Sequence, residues 1–330
     1  MRATWEPGCG HLPDLTIDGA PVLHAAPWRD TAEIQADRTI PVVDRRLGGT
    51  FACAPFGADD VDGGPPHGHA ANGPWHLLRA APGALRAARA LARGRMTATL
   101  ALRDGHPALY QTHVLDLDAP CTFAHHPMLA AAQGATLTTS PVTEALVFPT
   151  AEPGGAPLFD RPQRAVGHRL TRPGGDWNWR VYPDRPCEEF VALVHPPGPA
   201  WTAVARPARG DTILFLKRAE QLPLTCLWIS NAGRAGRPWN GRHVGVLGVE
   251  DARCAGAEGF AAALSGRGMV RGVPLTFAPG RHVVPHAILR LPGVHAVRAI
   301  HAAAASLRVE TKGGAVAVPF DPGHLDWPVR

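Results

Sequence analysis

Three short segments of this 330-residue chain carry side chains suited to proton chemistry: Pro66-His67-Gly68-His69-Ala70-Ala71-Asn72, Ala124-His125-His126-Pro127 and Gly248-Val249-Glu250-Asp251. Each lies at or just beyond the end of a stretch that reads as extended chain. An imidazole facing a carboxylate is the minimum equipment for taking a proton from one oxygen and delivering it to another. His67 and His69, two apart, could instead share one face of a strand and chelate a metal. His125 and His126 are adjacent, so on a strand they point to opposite faces and at most one serves a given cleft. Pro127 marks a strand end or bulge, where side chains are commonly re-aimed.

A fourth segment runs from Leu227-Trp228-Ile229-Ser230-Asn231-Ala232-Gly233-Arg234 through Pro238-Trp239-Asn240-Gly241-Arg242-His243 into the apolar strand that ends at Glu250. Aromatic faces stack on apolar ring faces of small polar ligands, and Asn and Arg read hydroxyls. That mixture is richer than a plain loop requires. Asp251, next to Glu250, either raises its pKa or points away. Leu47-Gly48-Gly49-Thr50 through Pro55-Phe56-Gly57 places paired glycines before a strand, which permits close backbone approach.

Composition narrows the possibilities. Lys plus Arg number 33 and Asp plus Glu 28, for a formal charge of +5 and a pI near 9.1. Only Lys217 and Lys312 are lysines, and the arginines are scattered without a phosphate-tracking run, so no nucleic-acid partner is expected. The first residues lack the apolar stretch of a signal peptide, and no run of about 18 apolar residues occurs, so no membrane partner is expected and the location reads as cytoplasmic. Cys9, Cys53, Cys121, Cys187, Cys226 and Cys254 form no C-x-x-C, which favours buried thiols over a disulfide frame or zinc knuckle.

The elements that must position these residues are short strands. Turn signals recur every ten to fifteen residues, with 36 Gly and 34 Pro. Met96–Leu102 alternates, turns through Arg103-Asp104-Gly105-His106 and returns as Ala108–Leu117, a hairpin. Further strands are expected at Ala135–Thr139, Glu144–Phe148, Phe190–Val194, Trp201–Ala205, Asp211–Leu216, Leu224–Ile229, Val244–Val249 and Val273–Phe277. Leu307–Val318 reads as one more, broken at Gly313-Gly314. Leu77–Arg93, rich in Ala, Leu and Arg, has a helical look interrupted at Pro82-Gly83, and Ala257–Leu264 reads as a short helix. The pattern predicts an all-β sandwich or barrel with few short helices. No repeat or linker divides the chain, so one domain over 1–330 is expected.

Taken in order, the four segments resemble the galactose mutarotase-like superfamily, in particular the aldose 1-epimerases and their hexose-6-phosphate relatives. The resemblance rests on Gly48-Gly49 leading to Pro55-Phe56-Gly57, on Pro66-His67-Gly68-His69-Ala70-Ala71-Asn72 followed by Trp75, on His126-Pro127, and on Val249-Glu250. It spans about residues 48–254. It implies a single-domain β-supersandwich and a mutarotase that interconverts the α and β anomers of a free sugar or sugar derivative, with no cofactor or metal. His126 would be the general acid, Glu250 the general base, and His67 would line the ring or O1. Substrate contacts would come from His69, Asn72, Trp75, His125, Asn231, Arg234, Trp239, Asn240 and Asp251. His126 and Glu250 are expected to face each other across a space of pyranose size.

The sequence departs from the family pattern in places. Ala71 stands where the family has Arg, His69 where it has an aromatic, and Asp251 where it has Pro. Phosphate-binding arginines of the hexose-phosphate branch are thereby missing, so an unphosphorylated sugar is expected, with the protein a monomer or homodimer. Two other readings remain open from the residues. One is a carbohydrate-binding supersandwich without turnover; the other is a cupin-like metal enzyme using His67, His69, His126 and Glu250. Trp177, Asn178, Trp179, Arg180 and Tyr182 could form a saccharide rim or simply belong to the core.

Overall fold

The computed structural model describes residues 1–148 and 155–329. Two antiparallel sheets, each of eight strands, dominate it. One, termed here the site sheet, has the order Gln163–Ala165, Glu144–Val147, Cys187–Val194, Leu224–Asn231, Val246–Arg253, Phe123–His125, Ala52–Cys53, with Met128–Ala130 also paired to Val246–Arg253. The other, the back sheet, has the order Thr136–Thr139, Pro199–Arg206, Asp211–Arg218, Gly280–Pro292, Ala108–Leu117, Gly94–Leu102, Ala84–Leu91, His76–Ala81. The fold is all-β, as the strand pattern predicts, and takes the supersandwich form that the resemblance implies.

Alternation explains why the sheets stack. Val191, Leu193, Leu227, Ile229, Leu247 and Val249 project from one face of the site sheet onto Leu100, Leu109, Val204, Ile213, Phe215 and Ile288 of the back sheet. Burying a side chain of this size contributes about 1.5–3 kcal/mol. The intervening residues of the site sheet point outward, where Trp28, Ile34, Val43, Phe51, Phe56 and Trp239 from long connections cover Cys226, Trp228, Val246 and Ala252. A three-stranded sheet, Val297–Ala303, Ser306–Thr311 and Gly314–Pro319, packs on the outer face of the back sheet through Leu307, Val309 and Val318.

Helices are few and short: Ala32–Ala36, Val42–Arg45 and Gly259–Ser265, the last within a residue or two of its expected position. Among the described residues no helix is long and apolar enough to cross a membrane. All six cysteines are buried and unpaired.

Two sequence expectations are corrected, and one strand went unpredicted. Leu77–Arg93 is not helical: its two arms are the strands His76–Ala81 and Ala84–Leu91, in register from Ala81↔Ala84 to His76↔Ala88. Pro82-Gly83, the break in the helical reading, is the hairpin turn, and pairing to Gly94–Leu102 overrides the helix preference of the alanines. Val273–Phe277 is not a strand; only Phe277 makes an isolated bridge, to Cys121, and Pro274 has no N–H to give a ladder. Gly280–Pro292, the longest strand at 13 residues, was not expected, because Pro285 and two histidines break its apolar run.

Candidate active site

The site forms on the outward face of the site sheet. Strand Val246–Arg253 pairs with Leu224–Asn231 and Phe123–His125, and alternation turns Gly248 and Glu250 outward while Val249 and Asp251 turn inward. The Glu250 carboxylate lies over Gly248, where a Cβ would come within 2.8 Å of Oε1 and 3.0 Å of the Trp228 Cβ. Small size at residue 248 therefore makes the room that Glu250 occupies.

Glu250 Oε1 is 3.1 Å from Nε2 of His126. The His126 ring stacks on Phe51 at 4.5 Å, meets Trp228 edge-on at 5.5 Å and meets His67 edge-on at 5.0 Å, all between ring centroids. His67 is half-buried on a loop, with Nδ1 3.4 Å from the Gly57 N–H. The next residue, Gly68, has φ 70°, and a Cβ there would fall 1.9 Å from the Ala54 carbonyl oxygen. Only glycine lets this loop press against the chain leaving Ala52–Cys53 and carry His67 to His126.

Electrostatics keep these rings neutral. Burial drives the His126 imidazole well below its ordinary range, with His67 adding to the effect. Burial likewise lowers His67 to about 4, aided by His11 and Arg234. A neutral His126 sets its Nε2 against the Glu250 carboxyl group.

A second carboxylate, Glu188, completes the cluster and was not picked out from the sequence. It is 1% exposed and accepts from Trp228 Nε1 at 2.7 Å and Ser230 Oγ at 2.8 Å, with Arg234 Nη2 at 3.2 Å. Ser230 Oγ in turn lies 2.8 Å from His243 Nδ1, and Arg234 lies 4.2 Å over the Trp239 ring. The available signal was Cys187-Glu188-Glu189, two acids at the head of an apolar strand. Alternation sends Glu188 to the site, while Glu189 turns inward and caps the Leu158 and Phe159 N–H groups.

The structure thus brings His67, His126, Glu250, Arg234 and Trp239 into one region and disperses the other expected residues. Asn72 braces its own loop, donating to Pro66 and Gly68 carbonyls and accepting from Val43 N–H. Trp75 is buried, donates to the Ala70 carbonyl and packs against Trp5. Asn231 donates to Arg185 and accepts from Gly245. His69 opens a 3-10 turn and is partly exposed, and Asn240 is exposed in a loop at φ 47°. Trp177, Trp179 and Tyr182 are buried in the core between the sheets rather than at a saccharide rim.

His125 and Asp251 lie on the inner face. His125 stacks on His286 of the back sheet at 4.3 Å. Asp251 is 2.7 Å from Lys217 Nζ and 2.9 Å from His286 Nε2, and accepts from Thr225 Oγ1 at 2.7 Å. Burial pushes the Asp251 carboxyl up, but Lys217 and His286 outweigh it and hold it below the usual carboxylate range.

The expected pyranose-sized gap between His126 and Glu250 is also corrected. The two groups touch, and they are only 4% and 2% exposed, because Phe51 and Trp228 close over them. Among the described residues no group of three or more His, Cys, Asp or Glu side chains is disposed to hold a metal, so the ligand set His67, His69, His126 and Glu250 is not assembled.

These features define an all-β supersandwich with a histidine–carboxylate pair on the outer face of one sheet. No family model and no curated protein matches the sequence. Solved structures do match in fold. A proposed aldose 1-epimerase from Klebsiella pneumoniae subsp. pneumoniae superposes with a TM-score of 0.60 at 15% identity, over 88% of this chain and 77% of that one. A galactose mutarotase-like protein from Lactobacillus casei ATCC 334 gives 0.55 at 13% identity, over 88% and 96%. A galactose mutarotase related enzyme from Lactobacillus acidophilus gives 0.56 at 9% identity, over 88% and 95%. The chain has the galactose mutarotase-like fold.

Proposed function

We propose that this protein is an aldose 1-epimerase-like mutarotase acting on a free sugar or sugar derivative without a cofactor. The contact of 3.1 Å between His126 Nε2 and Glu250 Oε1, in a buried site with neutral histidines, carries the reading. Ring opening of a hemiacetal moves one proton from O1 to the ring oxygen O5. Both oxygens are bonded to C1, so both can approach one edge of a touching His–Glu pair without a whole ring lying between the two groups.

With the proton of the neutral His126 ring on Nδ1, Glu250 takes the O1 proton and the contact passes it to the free Nε2. The imidazolium so formed has a depressed pKa and gives the proton up readily to O5 as the C1–O5 bond breaks. Rotation about C1–C2 and reversal of the steps yields the other anomer. His67 lines the ring or O1, and Arg234 and Trp239 form the rim. Each positioned proton transfer supplies about 10²–10⁴-fold. The protein is proposed as a single domain that works as a monomer or homodimer in the cytoplasm.

Polarimetry on freshly dissolved α-glucose and α-galactose tests the reading, with wild type beside Glu250→Gln and His126→Asn. Both variants should fall toward the uncatalysed rate. Equal rates for all three proteins leave the second reading, a carbohydrate-binding protein without turnover. The near-complete burial of the pair and the saturation of Glu188 by Trp228, Ser230 and Arg234 favour that alternative.

A further inference from the structure

Arg253 ends the strand that carries Glu250 and reaches a different cleft, of about 520 Å³, at the edge of the sandwich. Arg218, Arg253, Arg281, Gln221, Phe277 and Asp326 are among its lining residues. The Arg253 guanidinium lies 4.2 Å over the Phe277 ring and donates to the carbonyls of Gln221 at 2.8 Å, Thr276 at 3.3 Å and Glu220. Those acceptors carry no net charge. Among the described residues no carboxylate pairs with it, and burial lowers its pKa to about 10. A partly buried cation without a counter-ion is costly, so such sites take up an anion.

The other two arginines are weakly held. Arg218 pairs with Asp326 at 2.7 Å and Arg281 with Asp116 at 2.6 Å, but the two acid side chains are 84% and 41% exposed. Exposed pairs of this kind are weak and screened by solvent, so a dianion can compete for both guanidiniums. Their planar forks match phosphate oxygens. A second orphan sits in the same lining: Gln221 Oε1 is buried with no hydrogen-bond partner among the described residues, while its Nε2 donates to the Val283 carbonyl and so fixes which way the amide points. That acceptor calls for a donor, which a hydroxyl supplies and a phosphate dianion does not.

We infer that this cleft is a second binding site, separate from the His126–Glu250 region, for a hydroxylated phosphate monoester. Phosphate sits among Arg218, Arg253 and Arg281, and a ligand hydroxyl donates to Gln221. The volume falls within the range of about 300–1,000 Å³ common for small-ligand sites, well beyond a bare phosphate.

Isothermal titration with glycerol 3-phosphate, inorganic phosphate and glycerol tests this. Glycerol 3-phosphate should bind more tightly than phosphate, glycerol should not bind, and affinity should fall as salt rises. Arg253→Gln should weaken glycerol 3-phosphate at least tenfold, and Gln221→Leu should erase its advantage over phosphate. Arg281→Gln, at an exposed side chain, should weaken binding several-fold and reports on the cleft even where loss of the Arg253 carbonyl contacts unfolds the protein. Glu250→Gln should bind as wild type. No binding of either phosphate, affinity indifferent to Arg253→Gln and Arg281→Gln, or binding lost in Glu250→Gln overturns the assignment.

Discussion

Glu250 and Asp251 share a peptide bond, a strand and near-complete burial, yet their surroundings are opposite in kind. Glu250 faces neutral rings: His126 at 3.1 Å, with Phe51, Trp228 and His67 around that imidazole. Asp251 faces a fixed cation, Lys217, together with Thr225 and His286, between the two sheets. A carboxylate against neutral imidazole can exchange a proton. One locked to an ammonium and two further donors is held ionised and works as a strut joining the sheets. His125 and His126, and Glu189 and Glu188, divide the same way, the first of each pair inward and the second to the site. Strand alternation thus sorts chemistry from architecture one residue at a time.

The contrast can be broken by experiment. The largest effect is expected from Glu250→Gln, which should cut mutarotation by about 10²–10⁴-fold in polarimetry while the urea midpoint moves far less than for changes at 251. Full activity in this variant would dissolve the distinction. Asp251→Ala should do the reverse. Leaving Lys217 buried and unpaired should cost about 3–5 kcal/mol in chemical denaturation, and the double variant Lys217→Met with Asp251→Leu should recover most of it.

Acid sharpens the comparison next. Burial, with His286 adding, lowers His113 to about 3; burial, with Lys217 adding, lowers His195 to about 3; burial lowers His11 to about 4. These groups bind protons more readily in the unfolded chain, so stability is held above pH 6.5 and drains as pH falls toward 4. Each contributes a slope of up to about 1.4 kcal/mol per pH unit. Asp251 is depressed, so its contribution is complete above the ordinary carboxylate range and is lost as pH falls through that range, adding slope only at the acid end of the histidine window. Urea midpoints at pH 7 and pH 5 measure this, and equal midpoints would contradict it. The smallest effect is expected from Gly248→Ala, which puts a methyl 2.8 Å from Glu250 Oε1. It should lower activity several-fold, with a stability loss of about 1–3 kcal/mol, and rates equal to wild type would show that Glu250 tolerates displacement.

Much of the fold was legible because a half-buried strand writes its geometry into alternation. The hairpin Gly94–Leu102 with Ala108–Leu117, and strands such as Cys187–Val194 and Leu224–Asn231, lie close to where the pattern placed them. Ala84–Leu91 misled because alanine favours helix locally and its partner strand is not written in its own residues. Gly280–Pro292 was hidden because His286 and Arg290, which break its apolar run, are satisfied by Asp251 and Asp211 across tertiary contacts. Glu188 was missed for a related reason, since its three partners come from a neighbouring strand and the loop that follows it.

The sequence by itself determined that this chain is a sheet protein, that His126 lies just past a strand end, and that only one member of each adjacent pair could reach a given cleft, because side-chain period is a local property of backbone geometry. Glu250, expected at a strand end, lies inside Val246–Arg253. Only the tertiary structure decided which member that was. Strand register and sheet stacking settle which face meets solvent-side loops and which meets the other sheet. The same long-range packing brought His126 into contact with Glu250 and, among the described residues, left Arg253 without an acid partner.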